Sequence, residues 1–116
     1  MREIPERDWK YLRGVKGELL EALCHRINDG ARHIVADQAS GQHERFLRLY
    51  GYIMEQNEVV ADCFDDWRRS NILDKLLALC RHRLLADEHI PRLSAETRDR
   101  ISRWTSAAGE LPPNDA

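Results

Sequence analysis

The segment YGYIMEQNEVVADCFDDW, residues 50–67, decides how the rest of the chain is read. With Phe46 it carries Tyr50, Ile53, Asn57, Val60, Phe64 and Trp67, at successive steps of 4, 3, 4, 3, 4 and 3. Alternating steps of three and four keep side chains on one side of an α-helix. A seven-residue repeat held this long implies a neighbour packed at a small crossing angle. The segment therefore predicts a helix over about 42–69 with one dry face. Asn57 falls in the middle of that face. A buried amide without a partner costs roughly 1–3 kcal/mol, so Asn57 is expected to meet a matching polar group. That group belongs either to the same chain or to an opposed helix, where one such amide fixes register and oligomeric state.

Working outward, Pro5 suits a first helical turn, and Glu6 and Asp8 follow at its positive end. Gly14 and Gly17 predict an early end to this short first helix. A second helix is expected from about Gly17 to Asp37, because Leu20, Leu23, Ile27, Ala31 and Ile34 share one face. Asn28-Asp29-Gly30 is a turn signal inside that run, yet the apolar stripe keeps phase across it. The reading is one helix with a weak point at Gly30, costing about 1 kcal/mol relative to alanine.

Beyond Trp67 the phase changes. The apolar set resumes as Ile72, Leu73, Leu76, Leu77, Cys80 and Leu84. Arg68-Arg69-Ser70-Asn71 is thus a break, with Ser70 or Asn71 capping a fourth helix over about 71–85. Ser94 is placed to cap a last helix, and the stretch GELPPNDA reads as a flexible tail over residues 109–116. The fold class is all-α: one domain over residues 1–108, a bundle of four to five helices built on a long antiparallel helix hairpin.

A chain of 116 residues buries enough surface to fold without a metal or disulfide. Its formal charge of −2 divides unevenly, with 9 basic and 13 acidic residues over 1–67 against 9 basic and 5 acidic over 68–103. The near-neutral sum argues against a dedicated nucleic-acid binder. Were nucleic acid the partner, Arg68, Arg69, Arg81, Arg83, Arg98, Arg100 and Arg103 would carry the contact. Cys24, Cys63 and Cys80 form no CxxC pair and sit among apolar residues, as buried free thiols in a reducing compartment do. No apolar run approaches the roughly 20 residues of a membrane span, and MREIPERDWK lacks the apolar centre of a secretory leader. A cytoplasmic protein is expected.

Catalytic signatures are missing. There is no glycine-rich phosphate loop, no G-x-S-x-G, no H-E-x-x-H and no pair of Glu-x-x-His. No catalytic residue and no cofactor is assigned. The best metal-ligand spacing is His25, Asp29, His33 and Asp37, at helical steps of four on the side away from Leu20, Leu23, Ile27 and Ile34. Such a series is normally a solvated face. The function this pattern favours is a small cytoplasmic, non-catalytic interaction or regulatory domain. It would self-associate as a homodimer through Tyr50, Ile53, Asn57, Phe64 and Trp67. A helical-bundle metal- or ligand-binding protein is the alternative, and a nucleic-acid-binding regulator a more distant one.

Overall fold

The computed structural model describes residues 4–107. Its elements are α1 (Glu6–Ala36), α2 (Gln42–Phe64), α3 (Ile72–Arg81), a 3₁₀ turn at Ile90–Arg92 and α4 (Ala95–Ala107). Among the described residues there is no strand. The expected all-α bundle is what the chain forms, with two corrections to its layout.

The first correction concerns the two glycines near the start. α1 runs through Gly14 and Gly17 as one helix of 31 residues, about 46 Å long at 1.5 Å per residue. Leu12, Leu19 and Leu23 lie seven and four apart, in phase across both glycines, and each is at most 2% exposed. Burying a leucine contributes roughly 1.5–3 kcal/mol, against about 1 kcal/mol lost at each glycine, so continuity wins.

α1 and α2 form an antiparallel hairpin. The Tyr52 hydroxyl donates to the Ile27 carbonyl at 3.2 Å, and Arg45 Nη1 donates to the Val35 carbonyl at 2.9 Å. The turn between them is held by Asp37. Its carboxylate accepts from the Ala39 N–H at 3.0 Å, the Ser40 hydroxyl at 3.2 Å and Arg48 Nη1 at 2.9 Å.

α2 stops at Phe64, five residues short of expectation, because its last carbonyls are taken from outside the helix. The Trp67 indole donates to the Cys63 carbonyl at 2.7 Å, and the Lys75 ammonium to the Asp62 carbonyl at 3.0 Å. Asp66 then turns left-handed at φ 57°. Asn71 precedes α3 as expected, but its side chain reaches back into this turn instead of capping. It donates to the Asp66 carbonyl at 2.8 Å and accepts from the Arg68 N–H at 2.9 Å.

α3 ends at Arg81, short of the expected residue 85, in a Schellman turn with Arg83 at φ 57°. The Leu84 N–H donates to the Leu79 carbonyl at 2.8 Å, and the Arg83 N–H to the Cys80 carbonyl at 3.1 Å. Arg26 clamps this turn through the His82 and Arg83 carbonyls, at 2.7 and 3.2 Å.

The core gathers at one end. Trp9, Leu12, Leu19 and Leu23 of α1 meet Cys63 and Phe64 of α2, Ile72, Leu76 and Leu79 of α3, then Leu84, Leu85, Leu93 and Ile101. α4 is fastened to the start of α1 by a buried carboxylate. Asp8, fully buried, accepts from the Ser94 N–H at 2.8 Å, the Ser94 hydroxyl at 2.6 Å and the Thr97 hydroxyl at 2.5 Å. Ser94 therefore occupies the expected capping position, but its hydroxyl proton goes to Asp8. Between Leu23 and Gln56 no described side chain is buried, so the hairpin leaves the globular end as an arm. The envelope of 51 × 28 × 23 Å reflects that arm.

Candidate interaction surface on the helix arm

The second correction decides the site. The face of α2 that meets α1 is Arg45, Leu49, Tyr52, Gln56, Val59 and Cys63, each half-buried or buried. It has the same 4, 3, 4, 3, 4 stepping as the expected stripe, displaced by one residue. One residue is about 100° of rotation on a helix, so the expected dry seam is turned outward from Phe46 to Asn57, while Val60, Phe64 and Trp67 stay half-buried or buried at the globular end. Asn57 lies in solvent, and Ile53 beside it is 44% exposed. The buried amide of α2 is Gln56, not Asn57.

The physical cause is on α1. Gly30 presents no side chain, and Tyr52 fills the space. A Cβ on Gly30 would overlap the Tyr52 hydroxyl oxygen and stand 2.7 Å from Cζ. This ring over a bare stretch of helix, with its hydroxyl on the Ile27 carbonyl, sets the rotation of α2. Burial pushes the Tyr52 hydroxyl pKa above its ordinary value, and the nearby Asp29 charge adds to that.

The outer face of α2 is left uncovered. Phe46 is 61% exposed, Leu47 53%, Tyr50 60%, Ile53 44% and Met54 50%, and Val35 at the end of α1 adds 53%. All lie on the arm, and the core contains none of them. Single exposed apolar residues are ordinary, but a contiguous group of large ones on one helix face marks a contact surface. Of the five residues expected at an interface, Tyr50, Ile53 and Asn57 share this outer face. Phe64 is buried in the core, where its ring stacks on Trp67 at 6.2 Å, and Trp67 is half-buried at the globular end. The structure therefore separates Phe64 and Trp67 from the other three.

The acid and histidine series on α1 is engaged locally. Asp29 accepts from Arg32 at 2.6 Å, His33 Nδ1 lies 2.8 Å from the Asp29 carbonyl, Asp37 holds the turn, and His25 is exposed. Arg48 first, then the Ala39 N–H and Ser40, hold the Asp37 carboxyl below its ordinary value.

The structure gathers a different trio, which sequence spacing had not brought together. His89 Nε2 lies 3.1 Å from Glu18 Oε2 and 3.9 Å from Glu88 Oε2, and Glu18 is 71 residues away in the chain. His89 Nδ1 accepts from the Ala86 N–H at 3.0 Å, so Nε2 carries the ring proton and donates to Glu18. A metal at Nε2 would have to displace that proton and either create an imidazolate or break the Ala86 bond. The trio fits a hydrogen-bonded fastening of the 86–92 segment to α1 better than a metal centre.

Three of the seven arginine candidates are held in ion pairs. Arg68 pairs with Asp66, Arg69 with Glu6 through two bonds of 3.1 and 2.8 Å, and Arg103 with Asp99 at 2.7 Å. Arg100 lines a cleft with Leu73 and Trp104, while Arg81, Arg83 and Arg98 are exposed on separate elements. Burial pushes the Cys80 thiol up to about 11, and burial followed by the Asp62 charge does the same to Cys63, so neither supplies a thiolate at neutral pH.

A groove of about 470 Å³ at the globular end is lined by Trp9, Arg13, Lys16 and Trp67, but its rings are already faced by cations. Lys16 stands 4.9 Å over Trp67, and Arg13 and Arg69 stand 5.9 and 5.2 Å from Trp9. Comparison with family models, curated proteins and solved structures finds no match. No described helix is long and apolar enough to cross a membrane.

Proposed function

We propose that this chain is a non-catalytic protein–protein interaction domain whose contact surface is the outer face of the helix arm. The observation that carries this reading is the segregation of large exposed apolar side chains. Val35, Phe46, Leu47, Tyr50, Ile53 and Met54 are all on the arm and all outside the core. A two-helix arm with no buried side chain between Leu23 and Gln56 gains little from its own packing, and covering its outer face would supply what it lacks. The globular end, fastened by Asp8 and the Arg26 clamp, acts as the base that presents it.

The test places a photo-crosslinking amino acid at Tyr50 of the full chain in cells, with the same group at exposed Ser102 on α4 as control. A discrete protein adduct at Tyr50, with none at Ser102, is expected. Equal labelling at both positions, or none at either, would reject a dedicated docking face.

A further inference from the structure

We propose that the occupant of this face is a second copy of the chain, with α2 pairing antiparallel to its twin about a twofold axis at Tyr50. The proposal rests on the docking reading above and names its partner. In an isologous contact, residue i meets j and residue j meets i, so an antiparallel helix pair needs a contact set that maps onto itself when the helix direction is reversed. The exposed apolar set of α2 has this property. Phe46 and Met54 lie four residues either side of Tyr50, Leu47 and Ile53 lie three either side, and Tyr50 is its own mate. His43 and Asn57, both exposed, stand seven residues either side and would close each end with a polar pair. Asn57 thus sits on the rim of the contact, opposite His43 of the second copy, where polar groups belong.

The stripe also has the right shape and charge. On an ideal helix its five apolar residues span about 120°, centred on Tyr50 and about 140° around from the face that meets α1. The helices would therefore stand in the order α1, α2, twin α2, twin α1. Residues 27–56 carry four carboxylates and three arginines, a sum of −1, so two arms do not repel strongly. Two arginines are already paired within the arm, Arg32 with Asp29 and Arg48 with Asp37. Taking about 150–250 Å² for a whole aromatic side chain, the exposed stripe offers on the order of 500 Å² per chain. Two copies would bury on the order of 1,000 Å², the lower bound of a specific interface.

Cysteine scanning tests the geometry on the full chain with Cys24→Ser as parent, since the raised thiols of Cys63 and Cys80 are poorly reactive at neutral pH. Under mild oxidation Tyr50→Cys should link to itself, because facing α-carbons of helices 8–10 Å apart come within disulfide reach. Phe46→Cys alone should not, as two such residues would lie about 12 Å apart along the axis. Phe46→Cys mixed with Met54→Cys should link. Tyr50→Asp should raise the dissociation constant roughly a hundredfold or more, because symmetry sets the two new charges face to face. Self-linking of Phe46→Cys without the mixed product would mean parallel pairing and would overturn the proposal. So would a monomer at millimolar concentration with no linking. If that monomer still formed an adduct with another protein at Tyr50, self-pairing alone would fail and the docking face would stand.

Discussion

A methyl group on Gly30 would collide with the ring of Tyr52, and this close approach seats the Tyr52 side of α2 against α1. Elsewhere in a helix, glycine to alanine gains about 1 kcal/mol of propensity. Here the gain should be reversed. Gly30→Ala is expected to destabilise the chain, because Tyr52 must swing out and release the Ile27 carbonyl. In a Tyr52→Ala background the same change should stabilise by about 1 kcal/mol, giving a coupling of roughly 1–3 kcal/mol in a double-mutant cycle from urea melts. Additive effects would show that Tyr52 does not hold the register. The glycine was legible in the sequence as a weak point, but its purpose was not, because the ring that fills it lies 22 residues away. The choice between Gln56 and Asn57 failed for the same reason: adjacent residues both fit a seven-residue repeat, and the tie is broken only by the partner helix.

His82 makes the residue scale testable by pH. Its side chain is 11% exposed, and burial holds its pKa below 6.5, with Asp62 at 3.8 Å opposing that in part. The unfolded chain therefore binds this proton more readily than the folded one. The sign follows: the neutral histidine's contribution is fully present above about pH 6.5 and is lost as pH falls below it. Urea midpoints should drop between pH 7.5 and 5.5, and His82→Gln should flatten the drop. Midpoints rising on acidification would contradict this. A second loss is expected below about pH 4, where Glu6, Asp37 and Asp66, lowered chiefly by Arg69, Arg48 and Arg68, take up protons.

Among the elements, α4 depends most on one side chain. Beside Ile101 and half-buried Trp104, the Asp8 carboxylate and its three donors tie it to the base. Asp8→Ala should cost about 2–4 kcal/mol, since it strands a backbone N–H and two hydroxyls in the core. Hydrogen exchange should show amides of α4 losing protection before those of α1. Uniform loss would mean that α4 folds only with the whole. The sequence marked Asp8 as a helix-start acid and Ser94 as a cap, each correct locally. Their pairing across 86 residues has no local signal. The fused α1 was legible in principle: the phase test that kept one helix through Gly30 also joins Leu12 to Leu19 across Gly14 and Gly17.

At the scale of the molecule, the helical class and the hairpin followed from periodicity alone, because two long stripes and a short polar turn admit few other arrangements. The division into a packed base and an exposed arm did not. It depends on which of two adjacent stripes on α2 turns toward α1 along the arm, and there the more apolar one, from Phe46 to Asn57, turned away. Apolar surface left outward by a closed inner seam is the basis of the functional reading. Sedimentation equilibrium of the full chain beside Tyr50→Asp is the sharpest test of the self-pairing of that surface, because Tyr50 is exposed and its replacement leaves the core intact. A mass near twice 13.6 kDa is expected for the unaltered chain and 13.6 kDa for Tyr50→Asp, with the same helical spectrum. A single-chain mass for the unaltered protein at high concentration, or an unchanged double mass for Tyr50→Asp, would contradict it.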